Sequence, residues 1–196
     1  MKVVAFNGSP RANGNTAQGI RLVLEELERA GIETEFVQLG GRKVFGCLAC
    51  GKCREKQDNR CIRQDDEMNA FIAKIEQADG VIIGSPTYFS NVSTEVKALI
   101  DRCGLVNKAN GGGLLRGKVG ASVVAVRRAG ATFVYSAINF FFGIAEMIVP
   151  ASSYWNMTLA LEPGDIRKDE EGIATFRTLG QNMADLLKKL HAGGAQ

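Results

Sequence analysis

Lys2-Val3-Val4-Ala5-Phe6-Asn7-Gly8-Ser9-Pro10-Arg11-Ala12-Asn13-Gly14-Asn15-Thr16 is the stretch on which the fold turns. Its first five residues form an apolar run short enough for a buried strand. A polar turn punctuated by Gly8, Pro10 and Gly14 follows. From Asn15 to Ala30 the residues Ile20, Val23, Leu24 and Leu27 recur at i, i+3, i+4 and i+7, the stripe of a helix with one apolar face, and Gly31 ends it. Strand, polar turn, helix is the opening half of a β–α–β unit.

The same alternation continues outward from that unit. Thr34 to Leu39 reads as a strand of mixed polarity, suited to a sheet edge, and a cysteine-rich loop occupies 43–64. Asp65 and Asp66 are expected to cap a helix striped by Met68, Phe71, Ile72 and Ile75. Gly80 to Gly84 is a wholly apolar strand, and the loop Ser85 to Val92 follows it. Ser93 caps a helix carrying Val96, Leu99, Ile100 and Cys103, with Cys103 read as a core residue. Lys118 to Val126 is a long central strand, Ala131 to Ala145 a helix, Met147 to Val149 the fifth strand, and Leu179, Met183, Leu186, Leu187 and Leu190 stripe a closing helix. Apolar inner strands alternating with helices predict a parallel sheet covered on both faces. Right-handed crossovers then give a doubly wound, flavodoxin-like α/β fold, five strands in the order 2-1-3-4-5, with a cysteine-rich loop insertion. Residues 1–196 are expected to form one domain.

At 196 residues the chain can bury a full core, and 45% hydrophobic with 23% charged residues is ordinary for a soluble globular protein. A net charge of +3 gives no reason to expect nucleic-acid binding. The longest apolar run, Ile138 to Pro150, is interrupted by Glu146 and is too short for a bilayer, so no membrane association is expected. The N-terminus leads directly into a core strand with no secretory pattern, and five cysteines suit a reducing compartment, so the expected location is cytoplasmic.

In the predicted fold a ligand belongs beyond the C-terminal ends of the first and third strands, where the winding reverses. The first of those loops offers the hydroxyls of Ser9 and Thr16, the amides of Asn13 and Asn15, the Arg11 guanidinium and the N-terminus of a helix, a set suited to a phosphate monoester. Other phosphate sites fail on the same residues. Gly14 is followed by Asn15 rather than the lysine of a P-loop. Pro10 and Arg11 break the dinucleotide glycine pattern, and Asn7 and Ser85 stand where a receiver domain needs acids. A mononucleotide remains. The third-strand loop sets Tyr88 and Phe89 among Pro86, Thr87 and Asn91, where a planar ring finds aromatic and polar contacts. Arg127, Arg128, Ala129 and Gly130 would form the other wall, small enough for close approach and charged to suit an anionic reduced flavin.

The second chemical signal is Cys47-x2-Cys50-x2-Cys53-x7-Cys61. Thiols at three-residue spacing meet only in a tightly wound, irregular loop. Runs of this density hold ferredoxin-type iron–sulfur clusters, although here no proline follows the fourth cysteine. A zinc site, which usually draws on two separated pairs, and a redox-active disulfide remain alternatives at this level. Arg42, Lys43, Arg54, Lys56, Arg60 and Arg63 crowd the run and would offset thiolate charge and attract an acidic donor.

Taken together, Gly8-Ser9-Pro10-Arg11 with Gly14-Asn15-Thr16, the cysteine run, Gly84-Ser85-Pro86-Thr87-Tyr88-Phe89-x-Asn91-Val92-Ser93, Lys97-x2-Ile100-Asp101-Arg102 and Leu115-Arg116-Gly117-Lys118-Val119-Gly120 resemble the NADPH-dependent FMN reductase superfamily, and its iron–sulfur flavoprotein family in particular. The resemblance covers Met1 to about Val149. It implies non-covalent FMN, a [4Fe–4S] cluster on Cys47, Cys50, Cys53 and Cys61, and a homodimer or homotetramer in which clusters and flavins of different subunits approach. It assigns Ser9, Arg11, Asn15 and Thr16 to the phosphate, and Pro86, Thr87, Tyr88, Phe89 and Asn91 to the ring.

The resulting expectation is an FMN-dependent oxidoreductase that moves electrons between FMN and the cluster. Ferredoxin or NAD(P)H would be the donor and a small molecule or protein the acceptor. No catalytic acid–base residue is nominated, because the sole histidine, His191, lies beside a Gly-Gly-Ala tail. Two alternatives stand beside it: a cluster-free NAD(P)H-dependent FMN or quinone reductase, and a non-catalytic binding domain with a zinc-stabilised loop.

Overall fold

The computed structural model of the chain describes residues 1–192. The expected alternation is present: β1 Lys2–Asn7, α1 Asn15–Arg29, β2 Glu33–Gln38, α2 Lys52–Lys56, α3 Met68–Gln77, β3 Gly80–Pro86, α4 Thr94–Ala109, β4 Val119–Val126, α5 Ala131–Ile144, β5 Met157–Leu159 and α6 Glu170–Ala192. All five strands run parallel, in the order β2-β1-β3-β4-β5. This is the flavodoxin-like doubly wound sheet.

Period-two alternation sorts the core into two layers. Val3 and Ala5 of β1 join Ile20, Val23 and Leu27 of α1 and Phe176, Leu179 and Met183 of α6 on one face. Val4 and Phe6 face Phe71, Ile72, Val96, Leu99 and Phe142 from α3, α4 and α5 on the other. β1 is therefore apolar on both sides, as a central strand covered by two helical layers requires, while the edge strand β2 stays of mixed polarity. Cys103 lies in the second layer, and burial pushes its thiol up to about 12, so it is a core residue.

The fifth strand is not where the apolar run Met147 to Val149 placed it. That segment makes a single parallel bridge, Val119 with Ile148, at the start of β4. Pro150 has no N–H to continue the ladder. Pairing resumes only at Met157, opposite Val124. The short Met157–Leu159 thus forms the sheet edge, and the chain leaves it at the same end as β1 and β3. The capping of α3 also differs. Asp66 reaches the Met68 N–H (3.2 Å), but its other oxygen accepts from the Phe45 N–H (2.9 Å) and pairs with Arg102, while Asp65 pairs with Arg63.

Candidate functional site

The crevice between the C-terminal ends of β1 and β3 is set by a hydrogen-bond frame beneath it. Asn7, the last residue of β1, donates from Nδ2 to Gln38 Oε1 at 2.7 Å and accepts the Ser9 N–H at 3.2 Å. Gln38, the last residue of β2, donates to the carbonyls of Ser9 (2.6 Å) and Gly40 (2.7 Å). The turn 8–14 is therefore fixed to two adjacent strand ends. Gly40 packs so closely that a Cβ there would fall on the Ser9 carbonyl carbon, which explains the glycine. At the end of the turn, Gly14 precedes α1 in extended conformation with no side-chain cap, so the first N–H groups of the helix face the crevice unclaimed by a side chain.

The crevice holds about 260 Å³ and is lined by Ser9, Arg11, Asn15, Thr16, Pro86, Thr87, Tyr88 and Arg127, all expected from the sequence. Its remaining lining is Gly14, Ala125 and the segment Ala160, Leu161 and Glu162. That segment leaves β5 and was missed because the strand had been placed ten residues too early. The Glu162-Pro163-Gly164 turn was the available signal. Asn15 has a different duty from the one expected of its side chain. Its Nδ2 donates to the Glu162 carbonyl (2.9 Å), and its Oδ1 accepts the N–H groups of Gly164 (2.9 Å) and Ile166 (3.4 Å). The side chain thus fastens the third wall, and the residue's backbone N–H lies at the start of α1.

Thr87 carries the most direct mark of a missing partner. Its hydroxyl is buried in the crevice wall and meets no hydrogen-bond partner among the described residues. An unsatisfied buried hydroxyl costs about 1–3 kcal/mol, a penalty that a polar ligand edge relieves. Tyr88 is half exposed beside it. Tyr88 and Asn91 exchange backbone hydrogen bonds at 3.0 Å, closing a tight turn in which Phe89 and Ser90 both take positive φ (48° and 60°). Phe89 therefore projects fully into solvent at the turn's tip instead of lining the crevice. Asn91, Arg128, Ala129, Gly130 and Asn13 also lie outside the lining. Gly130 abuts Ser90, so the β4–α5 loop props the tip from behind, and Asn13 accepts from Arg21 at 3.1 Å.

The cysteine run forms a second, separate concavity against α4. Cys47, Cys50, Cys53 and Cys61 all line one cavity of about 180 Å³, together with Arg54, Ile62, Arg63, Arg102, Leu105 and Val106. The winding is local. Ala49, Gly51, Gln57 and Asn59 all have positive φ, and α2 is a single short turn between them. Cys47 Sγ accepts the Ala49 N–H at 3.3 Å, a bond of the type that tunes thiolate sulfur. On the far side Asn69 of α3 clamps Cys61, accepting its N–H (2.8 Å) and donating to its carbonyl (2.9 Å). Among the described residues, no three His, Cys, Asp or Glu side chains close on a single ion position.

The basic crowd around this loop is largely spoken for. Arg42 pairs with Glu67, Arg60 with Glu76 and Arg63 with Asp65. Among the described residues Lys43, Arg54 and Lys56 form no ion pair. The unneutralised charge is thus smaller than the sequence suggests.

Residues 1–162 match the family model for NADPH-dependent FMN reductase. The chain belongs to that family. It is 37% identical over 195 residues to an iron–sulfur flavoprotein of Methanocaldococcus jannaschii, covering 96% of this chain and 98% of that protein. It is 32% identical over 190 residues to an iron–sulfur flavoprotein of Methanosarcina thermophila, covering 96% of each. Among solved structures, RosB with its bound intermediate 8-demethyl-8-formylriboflavin-5′-phosphate superposes with a TM-score of 0.73 at 19% identity, covering 98% of this chain and 81% of that one, a likeness of fold. The family is one of flavin oxidoreductases, and no described helix of this member is long and apolar enough to cross a membrane.

Proposed function

We propose that the protein is an electron-transfer flavoprotein that binds FMN in the switch-point crevice and a [4Fe–4S] cluster in the cysteine cavity. The observation that carries this reading is that all four cysteines of one fifteen-residue run line one cavity, in a member of an FMN reductase family. The curated relatives bearing the name iron–sulfur flavoprotein support it.

FMN fits the crevice. The first N–H groups of α1, Ser9, Thr16 and Arg11 surround the place for a phosphate, where the helix dipole and guanidinium favour negative charge. Thr87 Oγ1 supplies the hydrogen bond that the protein itself leaves open, and Tyr88 offers a face for an apolar ring. Arg127 places a positive charge at the rim. Asn91, Arg128, Ala129 and Gly130 support the ring's side of the crevice from outside it, and Phe89 would cover it only from another position of the tip. When bound together, FMN and an iron–sulfur cluster couple two-electron and one-electron chemistry. The chain's part is to hold both, to back the cysteine cavity with Ile62, Leu105 and Val106, and to present Arg54 and Lys56 to an acidic donor such as ferredoxin. NAD(P)H is the alternative donor. A single domain over 1–196, assembled as a homodimer or homotetramer in the cytoplasm, completes the reading.

A second reading, a cluster-free NAD(P)H-dependent FMN or quinone reductase, is favoured by the matching family model, NADPH-dependent FMN reductase. Anaerobic purification separates the two. Flavin absorbance with a broad brown band bleached by dithionite, and iron and acid-labile sulfide in equal amounts, is the expected result. Flavin bands with no iron after anaerobic reconstitution, and fast NAD(P)H reduction that survives Cys50→Ala, would leave the second reading standing.

A further inference from the structure

Arg102, in the middle of α4, is the largest of the side chains that solvent does not reach, with 1% of its surface exposed. Burying a guanidinium costs several kcal/mol, of order, unless its charge and all its donors are met. Its partners come from the two ends of the cysteine run. Nη1 donates to the Phe45 carbonyl at 3.1 Å and pairs with Asp66, and Nη2 donates to the Arg63 carbonyl at 3.3 Å. Phe45 stands two residues before Cys47, and Arg63 two residues after Cys61. One rigid fork thus clasps both strands of the loop at its mouth.

One donor is left over. The Arg102 Nε–H is buried and meets no acceptor among the described residues, yet the residue forms part of the wall of the cavity that Cys47, Cys50, Cys53 and Cys61 share. Burial works against the charge, and Asp66 and the neighbouring Cys61 outweigh it, so the guanidinium stays protonated. The clasp itself uses the Nη donors and the charge paired with Asp66; the spare Nε–H it does not use.

We propose that Arg102 is the positioning residue of the thiolate cavity: it closes the loop so that the four cysteines face one space, and its spare N–H and positive charge serve the sulfur-ligated iron held there. This rests on the iron–sulfur reading above. Positive charge and N–H groups next to sulfur favour the reduced, more negative form, so Arg102 raises the reduction potential of that centre. The FMN crevice shares no lining residue with this cavity, so flavin content is an internal control.

The test compares the whole protein with Arg102→Met and Arg102→Lys after anaerobic reconstitution with ferrous iron and sulfide. Iron, sulfide and FMN are measured per chain, then iron retention against a chelator and the midpoint potential of the iron–sulfur signal. Arg102→Met is expected to keep FMN and to hold iron about 10- to 100-fold more weakly. Arg102→Lys, which keeps the charge but loses the fork and the Nε–H, is expected to recover iron and to show a lower midpoint potential. If the Met variant does not fold, the Lys variant decides by its potential. Wild-type retention and potential in the variants that fold would overturn the proposal while leaving the iron–sulfur reading intact. Iron loss with an unchanged potential in Arg102→Lys would reduce Arg102 to scaffolding and overturn it as well. A wild-type protein that takes up no iron would overturn it through the reading beneath it.

Discussion

The two concavities of this molecule are built on opposite plans. The switch-point crevice is a by-product of the sheet: β1 and β3 end side by side, Asn7 and Gln38 fix the turn above them, and Asn15 fastens the far wall. Its geometry is prepaid by backbone register. The cysteine cavity has no strand beneath it. It is a loop of left-handed residues leaning on α4, held by the Asn69 clamp and the buried Arg102–Asp66 pair. The first should stand without its ligand. The second depends on that ion pair and that clamp.

The largest expected effect attacks that dependence. Asp66→Asn leaves the buried guanidinium without its counter-charge and should cost about 3–5 kcal/mol. Urea denaturation of wild type and variant measures it, and a loss below about 1 kcal/mol would remove the ion pair as the keystone. Acid gives the same contrast. Burial raises the Asp66 carboxyl, and Arg102 with the Phe45 and Met68 N–H groups outweighs this, holding it below the ordinary value of 3.8. Its stabilisation is complete above that value and is lost as pH falls through the depressed one. Wild type should therefore destabilise more steeply than Asp66→Asn below about pH 4, and parallel curves would break the assignment.

Against the crevice, Gly40→Ala drives a methyl group onto the Ser9 backbone and should cost about 1–3 kcal/mol together with FMN affinity, while leaving iron uptake unchanged. Loss of both ligands would show that the two regions are not independent. Thr87→Val sharpens the contrast further. Removing an orphaned hydroxyl should leave the flavin-free protein as stable or more so, yet weaken FMN by about 1 kcal/mol, roughly fivefold in fluorescence titration. Unchanged affinity would show that Thr87 does not touch the flavin. The smallest effect is at the exposed tip. Phe89→Gly relieves positive φ on a bulky residue and should stabilise by about 0.5 kcal/mol in thermal unfolding. A destabilised variant would mean that the phenyl ring packs on something in solution.

Much of this was legible in the chain. The apolar run Lys2 to Phe6, the stripe on Asn15 to Ala30 and the wholly apolar Gly80 to Gly84 announce their own geometry, because buried parallel strands and one-faced helices each leave a period in the residues. The loops Ser9 to Thr16 and Pro86 to Tyr88 follow once the sheet order is known. β5 was not legible. Met147 to Val149 has the better strand composition, but Pro150 ends its pairing, and an edge strand of three residues needs little hydrophobicity to be held by β4. With it went Ala160, Leu161 and Glu162.

Sequence alone determined the α/β alternation, the place of the switch point and the density of thiols, since each is a property of spacing along the chain. Only the tertiary structure decided that the Asn15 side chain fastens a wall of the crevice, that Phe89 lies outside the lining, and that Arg102 stands behind the cysteines. Those outcomes depend on which donors and acceptors meet across dozens of residues, and no local period records a partner that arrives from another part of the chain.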